Sequence, residues 1–316
     1  MINHYLYFLA LAEEKSITKA AEKLFVSHQA LSRYLKNLEK EYHMNLFERT
    51  PNLKLTAAGQ SYLDMVRQIQ MLEDDLSSRF EEIRQEQRGI LRFGTTEGRY
   101  RILVPLLLTE FRKAYPNVTL EVQYGTTKGL STQVTDNALD IALLNQTSRT
   151  HSHLEFAPVV AEKMYLVVSD ALLKQYFPED FEARKERYTK GADLKEFEHM
   201  PFVASIRDYN SRKKLDEYLQ FNQVNLNTIL EVMQSDLHYL MTAHDYAASF
   251  CWSMYVPSIH EINLTGAYSY LNVFPLKDCD ISNHLMAVTR EGRIFPQYGD
   301  AFIQILKQTC RRLCST

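Results

Sequence analysis

Gln29, Ser32, Arg33 and Lys36 are the side chains in this sequence best suited to a defined chemistry. They fall on one side of a segment whose apolar residues Leu31, Leu35, Leu38 and Tyr42 recur at helical spacing on the other. At about 100° per residue, a helix here gathers the polar four on a single face. Gln and Arg can make paired hydrogen bonds to base edges, Ser serves either strand, and Lys suits phosphate. Ser27 supplies a hydroxyl to cap the first turn, with His28 beside it. Amphipathicity alone also describes a surface helix with a solvated face. The neighbouring elements separate the two readings.

Upstream, Tyr5, Phe8, Leu9 and Ala12 form a helical stripe. Ser16 then caps a second helix in which Ala20, Ala21 and Leu24 face inward, and small alanines let two helices cross closely. Downstream, Leu46 to Thr56 reads as two short strands turned at Pro51-Asn52, with Arg49 and Lys54 placed to touch the nucleic-acid backbone. This order is that of a winged helix-turn-helix, which sets one helix in the major groove. Its candidate DNA-contacting residues are Ser27, His28, Gln29, Ser32, Arg33, Lys36, Arg49, Asn52 and Lys54.

Phe8 to Leu11, Ser16-Ile17-Thr18-Lys19-Ala20-Ala21-Glu22-Lys23-Leu24, Val26-Ser27, Ala30-Leu31-Ser32, Leu38-Glu39, Leu46-Phe47-Glu48-Arg49 and Leu55-Thr56-Ala57-Ala58-Gly59 run in order with almost no gaps. Together they resemble the DNA-binding domain of LysR-type transcriptional regulators. Three departures stand out. His28-Gln29 replaces the usual Gln-Pro, His43 replaces a glycine, and the wing is about one residue longer.

The whole chain has 316 residues, enough for two or three domains, and 45% hydrophobic residues can build cores of useful size. Its net charge of −3 hides a mildly basic N-terminus: residues 1–58 hold eight Lys or Arg against six Asp or Glu. Phosphate attraction per subunit is then moderate, and useful affinity has to come from linked copies of the domain. Charged residues interrupt Met1 to Lys19, which does not read as a secretory signal, and no apolar run is long enough to span a bilayer. Cys251, Cys279, Cys310 and Cys314 lack zinc-type spacing and fit a reducing cytoplasm. A redox switch between Cys251 and Cys279 has no basic neighbour in sequence to activate either thiol. His151-Ser152-His153 reads as a solvated loop rather than a metal site. Phosphate-loop, dinucleotide, zinc-protease and nucleophile-elbow signatures are absent, and no cofactor is expected.

Gln60 to Arg88 contains no Gly or Pro, and Tyr62, Met65, Ile69, Leu72, Leu76 and Ile83 step by threes and fours, with Arg79 interrupting the seam. A helix of this length spans about 42 Å. Its one apolar seam predicts pairing with a second copy, as the family resemblance also implies, and Gly89 is expected to end it.

Beyond Gly89, strand and helix alternate, which predicts a parallel sheet covered by helices. Strands are expected at Ile90 to Phe93, Val118 to Val122, Ile141 to Leu144, Met164 to Ser169, Pro201 to Ser205, Ile229 to Met233 and Ala248 to Trp252. Phe274 to Leu276 and Leu285 to Thr289 should return the chain to the first half. A helix is expected over Ile102 to Tyr115 with Pro105 in its first turn, and a last one from Pro296.

The expected architecture is therefore α/β with an N-terminal all-α winged helix-turn-helix (1–58), a linker helix (59–88), and two α/β, periplasmic-binding-protein-like effector subdomains (89–316). Subdomain I is placed at about 89–161 and 268–316, and subdomain II at about 162–267. Looser family resemblance supports this in Gly89-Ile90-Leu91-Arg92-Phe93-Gly94, Leu103-Val104-Pro105, Tyr115-Pro116, Gly125 and Leu139-Asp140-Ile141-Ala142. His244-Asp245-Tyr246 stands where many relatives have a Gly-x-Gly turn, and charged extra length lies around Tyr176 to His199.

Ligands of such sheets bind beyond the carboxyl ends of strands. That rule selects Thr96, Glu97, Gly98, Arg99, Thr126, Asn145, Ser205 and Arg207. A helix starting after Gly98, with Arg99 at hand, favours an anion, whereas Glu97 could hold an amine. The balance tips towards a small carboxylate-bearing effector. The expected function is a cytoplasmic, ligand-responsive DNA-binding regulator acting as a dimer or tetramer. The alternative is a solute-binding or enzymatic α/β protein whose N-terminal helices serve only oligomerisation.

Overall fold

The computed structural model describes residues 5–49, 53–83, 88–146, 153–207, 209–279 and 281–315. Two compact units, Met1–Gln85 and Glu86–Thr316, divide them. The first unit runs α1 (Tyr5–Glu14), α2 (Ile17–Lys23), α3 (His28–Glu41), β1 (Phe47–Glu48), β2 (Lys54–Leu55) and α4 (Ala57–Ile83). Ser16 and Ser27 cap α2 and α3, their hydroxyls accepting from the Lys19 and Ala30 amides at 3.4 and 3.1 Å. Phe8, Leu11, Leu31 and Leu35 are wholly buried with Ala20 and Ala21, which closes α1, α2 and α3 on one core. Each such Leu or Phe contributes about 1.5–3 kcal/mol by leaving water. Tyr42 departs from the expected stripe. It is the half-exposed C-cap of α3, its ring edge-on to Tyr62 at 5.4 Å. His43, in place of the family's glycine, takes φ 53°, the left-handed conformation that makes glycine usual there.

The second unit begins with β3 (Gly89–Thr95), α5 (Glu97–Ala114), β4 (Val118–Tyr124), α6 (Thr127–Thr135) and β5 (Ile141–Asn145). Here β3 pairs in parallel with both β4 and β5, the crossover pattern expected of strand-helix-strand units. A 16-residue strand, β6 (Leu154–Ser169), begins ten residues before the expected one and links both halves of the unit. After it come α7 (Asp170–Tyr176), α8 (Phe181–Tyr188), β7 (Pro201–Ser205), α9 (Asn210–Asn222), β8 (Asn227–Val232), α10 (Ser235–Ala243), β9 (Ser249–Trp252), α11 (Val256–Thr265), β10 (Leu271–Pro275), β11 (Ser282–Arg290) and α12 (Gln297–Cys314).

The sheet is mixed rather than parallel. Its order is β10-β6-β11-β5-β3-β4, with β9 also on β6, and both β11 and β10 run antiparallel to β6. The β6 residues up to Lys163 pair with β11, and those from Tyr165 pair with β10. The strand at Phe274 therefore belongs to the second half, and β11 makes the return. Bonds from Val203 N–H to Ala248 O and from Ala248 N–H to Pro201 O join the parallel β7–β8 pair to β9.

Helix α5 starts at Glu97, five residues before the expected position, so Pro105 lies in its interior and Glu97, Gly98 and Arg99 form its first turn. Gly89 opens β3; a Cβ there would meet the Tyr298 hydroxyl at 2.4 Å. Close approach to that ring explains the glycine. Asp245 takes φ 58°, a left-handed conformation that Asp tolerates better than most side chains.

Candidate functional site

In the first unit, α3 shows two faces. Leu31, Leu35 and Leu38 are buried, while Ser27, His28, Gln29, Arg33 and Lys36 are exposed and Ser32 is half-buried. The hairpin pairs Phe47 with Leu55 and Glu48 with Lys54, leaving Lys54 and Arg49 exposed. Asn52 and the wing tip lie outside the described residues. The connection between α3 and the wing escaped sequence reasoning. Glu39 is buried on α3, and its Oε1 accepts from the Leu46 and Phe47 amides at 2.9 and 3.2 Å while Oε2 binds Arg49 at 2.7 Å. One carboxylate thus ties the root of the wing to the helix. It also orients the Arg49 guanidinium, which stays half-exposed.

In α4, Leu72 and Leu76 of the expected seam and the neighbouring Phe80 are about half exposed, with Met65 exposed nearby, while Leu63 and Val66 are buried against the first core. Arg79 and Ile83 side chains lie outside the described set.

In the second unit, Thr96, Gly98, Arg99 and Asn145 come together. Thr96 precedes α5 and accepts from Arg99 Nη1 at 3.1 Å. Arg99 turns inward, its Nη2 2.7 Å from Glu162 Oε2, and both side chains are nearly or wholly buried. The Asn283 amide donates to the same Glu162 oxygen at 2.8 Å and to Asn145 Oδ1 at 3.0 Å. Burial pulls the Arg99 pKa down, but Glu162 and Tyr255 together with smaller contributions more than offset it, so the guanidinium stays charged. The charge that the sequence offered to an anion is thus matched internally. Arg99 Nε and Glu162 Oε1 have no hydrogen-bond partner among the described residues.

Glu97 faces Arg101 at 3.5 Å, and Arg101 reaches across to Asp236 on α10 at 2.8 Å. A Cβ at Gly98 would lie 2.4 Å from the Tyr255 hydroxyl, so this glycine permits close packing of the two halves. Burial raises the Tyr255 pKa to about 12. Ser205, Ser211, Ser235, His238 and Tyr255 border a cavity of about 30 Å³, room for little more than a water. The Ser211 hydroxyl donates to Ser205 Oγ at 3.1 Å.

Two candidates lie apart from this cluster. Thr126 caps α6 through Gly129 N–H at 3.1 Å. Arg207 is exposed, 3.8 Å from Glu231, in a separate open groove of about 720 Å³ between α9 and β8.

Sequence reasoning missed Glu162, Asn283 and Lys214. Glu162 had left a trace: it is in phase with the buried Met164, Leu166 and Val168 along β6, a charge in an inward register. The Lys214 ammonium, on α9, donates to the Ser282 carbonyl at the start of β11. Burial lowers its pKa, against the opposing pull of Glu217 and Glu162.

The thiols are quiet. None of the four cysteines is joined in a disulfide; burial raises the pKa of Cys251 and Cys310, and that of Cys314 to about 11. Among the described residues, no His, Cys, Asp and Glu group is arranged to hold a metal, and no helix is long and apolar enough to cross a membrane.

Residues 2–60 match the model of a bacterial regulatory helix-turn-helix protein of the lysR family, and residues 84–311 match the LysR substrate binding domain. A probable RuBisCO transcriptional regulator of Thalassiosira pseudonana is 29% identical over 231 residues, covering 71% of this chain and 72% of that protein. The uncharacterized regulator YnfL of Escherichia coli is 34% identical over 169 residues, 53% of this chain and 57% of its own. Among solved structures, a full-length OxyR variant from Pseudomonas aeruginosa superposes with TM-score 0.66 at 18% identity, covering 98% of this chain and 94% of that one. CbnR bound to its target DNA gives TM-score 0.56 at 18% identity, covering 98% and 99%. At these identities the structures speak for the fold.

Proposed function

The chain belongs to the LysR family of bacterial transcriptional regulators, and we propose that α3 reads its operator through Gln29, Ser32 and Arg33. Lys36, Arg49 and Lys54 hold the DNA backbone, with Ser27 and His28 at the helix start and Asn52 in the wing. The observation that carries this reading is the division of α3, three buried leucines against an exposed basic and amide face. The half-exposed apolar residues of α4 support pairing with a second copy, which would supply the affinity that a mildly basic domain lacks. The protein acts in the cytoplasm and is regulatory rather than catalytic.

A small effector enters the second unit between its two halves, near Thr96, Asn145 and Ser205, with Glu97, Gly98 and Arg99 shaping that wall; Thr126 and Arg207 lie apart from these residues. By binding one arrangement of the halves better than another, it shifts their equilibrium by its differential affinity.

Gel-shift titration of the intact protein against its own upstream region tests the DNA assignment. Charge reversal at Arg33 and Lys36 should abolish the shift while leaving the thermal melt unchanged. Full retention of binding in that variant would remove α3 from the interface.

A further inference from the structure

We infer that Lys214 is the counter-ion for a carboxylate group on the effector, which names the ligand class of the cleft proposed above and rests on that reading. The inference begins with charge. Arg99 and Glu162 neutralise each other in the interior, and Asn283 completes their contact on one side. Arg101 is shared by Glu97 and Asp236, and Arg212 by Asp216 and Glu231. Each of these cations has at least one carboxylate within 4 Å. Lys214 has none among the described residues: its ammonium is half-buried and donates only to the Ser282 carbonyl.

A charge withdrawn from water without an opposite partner is costly, and proteins rarely keep one without use. Burial lowers the Lys214 pKa and outweighs the pull of Glu217 and Glu162, neither of which pairs with the ammonium. Its position is what turns this cost into a site. Lys214 projects from α9 in the second half of the unit to β11 in the first, and the next residue of β11, Asn283, binds Asn145. Lys214 therefore stands where the two halves meet, beside the strand ends that the sheet topology marks for ligands. The unpartnered oxygen of Glu162 is fully buried and out of a ligand's reach, so the group that a ligand meets is the ammonium.

The charge balance also selects among anions. One carboxylate matches the single charge of the Lys214 ammonium. A phosphate, near −1.5 to −2 at neutral pH, would leave excess negative charge beside Glu162.

Thermal melts of the full-length protein test the assignment with acetate, succinate, inorganic phosphate and putrescine, each against chloride at matched ionic strength. Acetate or succinate should raise the melting temperature by several degrees, as mass action requires of a ligand well above its Kd; phosphate should do less and putrescine nothing. Lys214→Gln should lose the gain and Lys214→Arg keep it. Without ligand, Lys214→Gln should melt at or above the wild-type temperature, because an unmatched charge has gone. Absence of a carboxylate gain, a larger gain with phosphate or putrescine, or a ligand-free Lys214→Gln that melts well below wild type would each overturn the inference. If Lys214→Gln keeps the gain and Asn145→Ala loses it, the cleft holds the anion and only Lys214 is misassigned. If both keep it, the cleft reading falls as well.

Discussion

Arg99 and Glu162 meet at 2.7 Å with almost no exposure to solvent, at the point where β6 passes from one half of its sheet to the other. Arg99 rides on the first turn of α5, Glu162 on the crossing strand, and Asn283 on the strand that returns.

Removing one partner strands the other. Arg99→Leu or Glu162→Leu alone should cost about 3–5 kcal/mol of stability, the usual loss when a buried pair is broken. The double replacement should recover most of it. Urea denaturation of the four proteins measures this, and additive losses in the double variant would show that the two side chains act independently.

Glu39→Ala should weaken DNA binding without touching DNA. It removes the acceptor for two backbone amides and the anchor of Arg49, each buried unsatisfied donor costing about 1–3 kcal/mol. Thermal melts and gel shifts report the two effects. Unchanged binding would mean that the wing holds its position without this tie.

Base and phosphate contacts respond differently to salt. Lys36→Ala should reduce the slope of log K against log salt by about 1 and weaken all sequences alike, whereas Arg33→Ala should cost about 1–3 kcal/mol on the operator and far less on unrelated DNA. Fluorescence anisotropy over a salt series separates them. A uniform loss for Arg33→Ala would make it a phosphate contact.

His238 gives the protein an acid sensitivity of definite sign. It is buried, its Nε2 lies 3.4 Å from the Val232 carbonyl, and burial lowers its pKa below 6.5. Below pH 6.5 the unfolded chain takes up a proton that the folded state resists, so stability declines as pH falls from 6.5 towards the folded-state pKa, and is fully present above that window. His238→Gln should flatten this part of a stability profile measured by urea denaturation. An unaltered slope would assign it to other groups.

The N-terminal unit was legible almost residue by residue, because its signals are local: Ser16 and Ser27 cap the helices they precede, and Leu31, Leu35 and Leu38 share a face by spacing alone. Strand positions in the second unit were legible for the same reason. Pairing was not. That β6 serves both halves, that Phe274 stays with the second, and that Glu162 finds Arg99 across 63 residues depend on which chain segments become neighbours. Periodicity says which way a side chain points, but not what waits there. A guanidinium next to a helix start reads as an anion receptor until the fold supplies its carboxylate, and Lys214 reads as a surface lysine until the fold brings the Ser282 carbonyl to its ammonium. Local sequence thus determined the elements and their faces; charge partners separated by tens of residues were decided only by the tertiary structure, since electrostatic energy depends on distance in space and on exclusion of water.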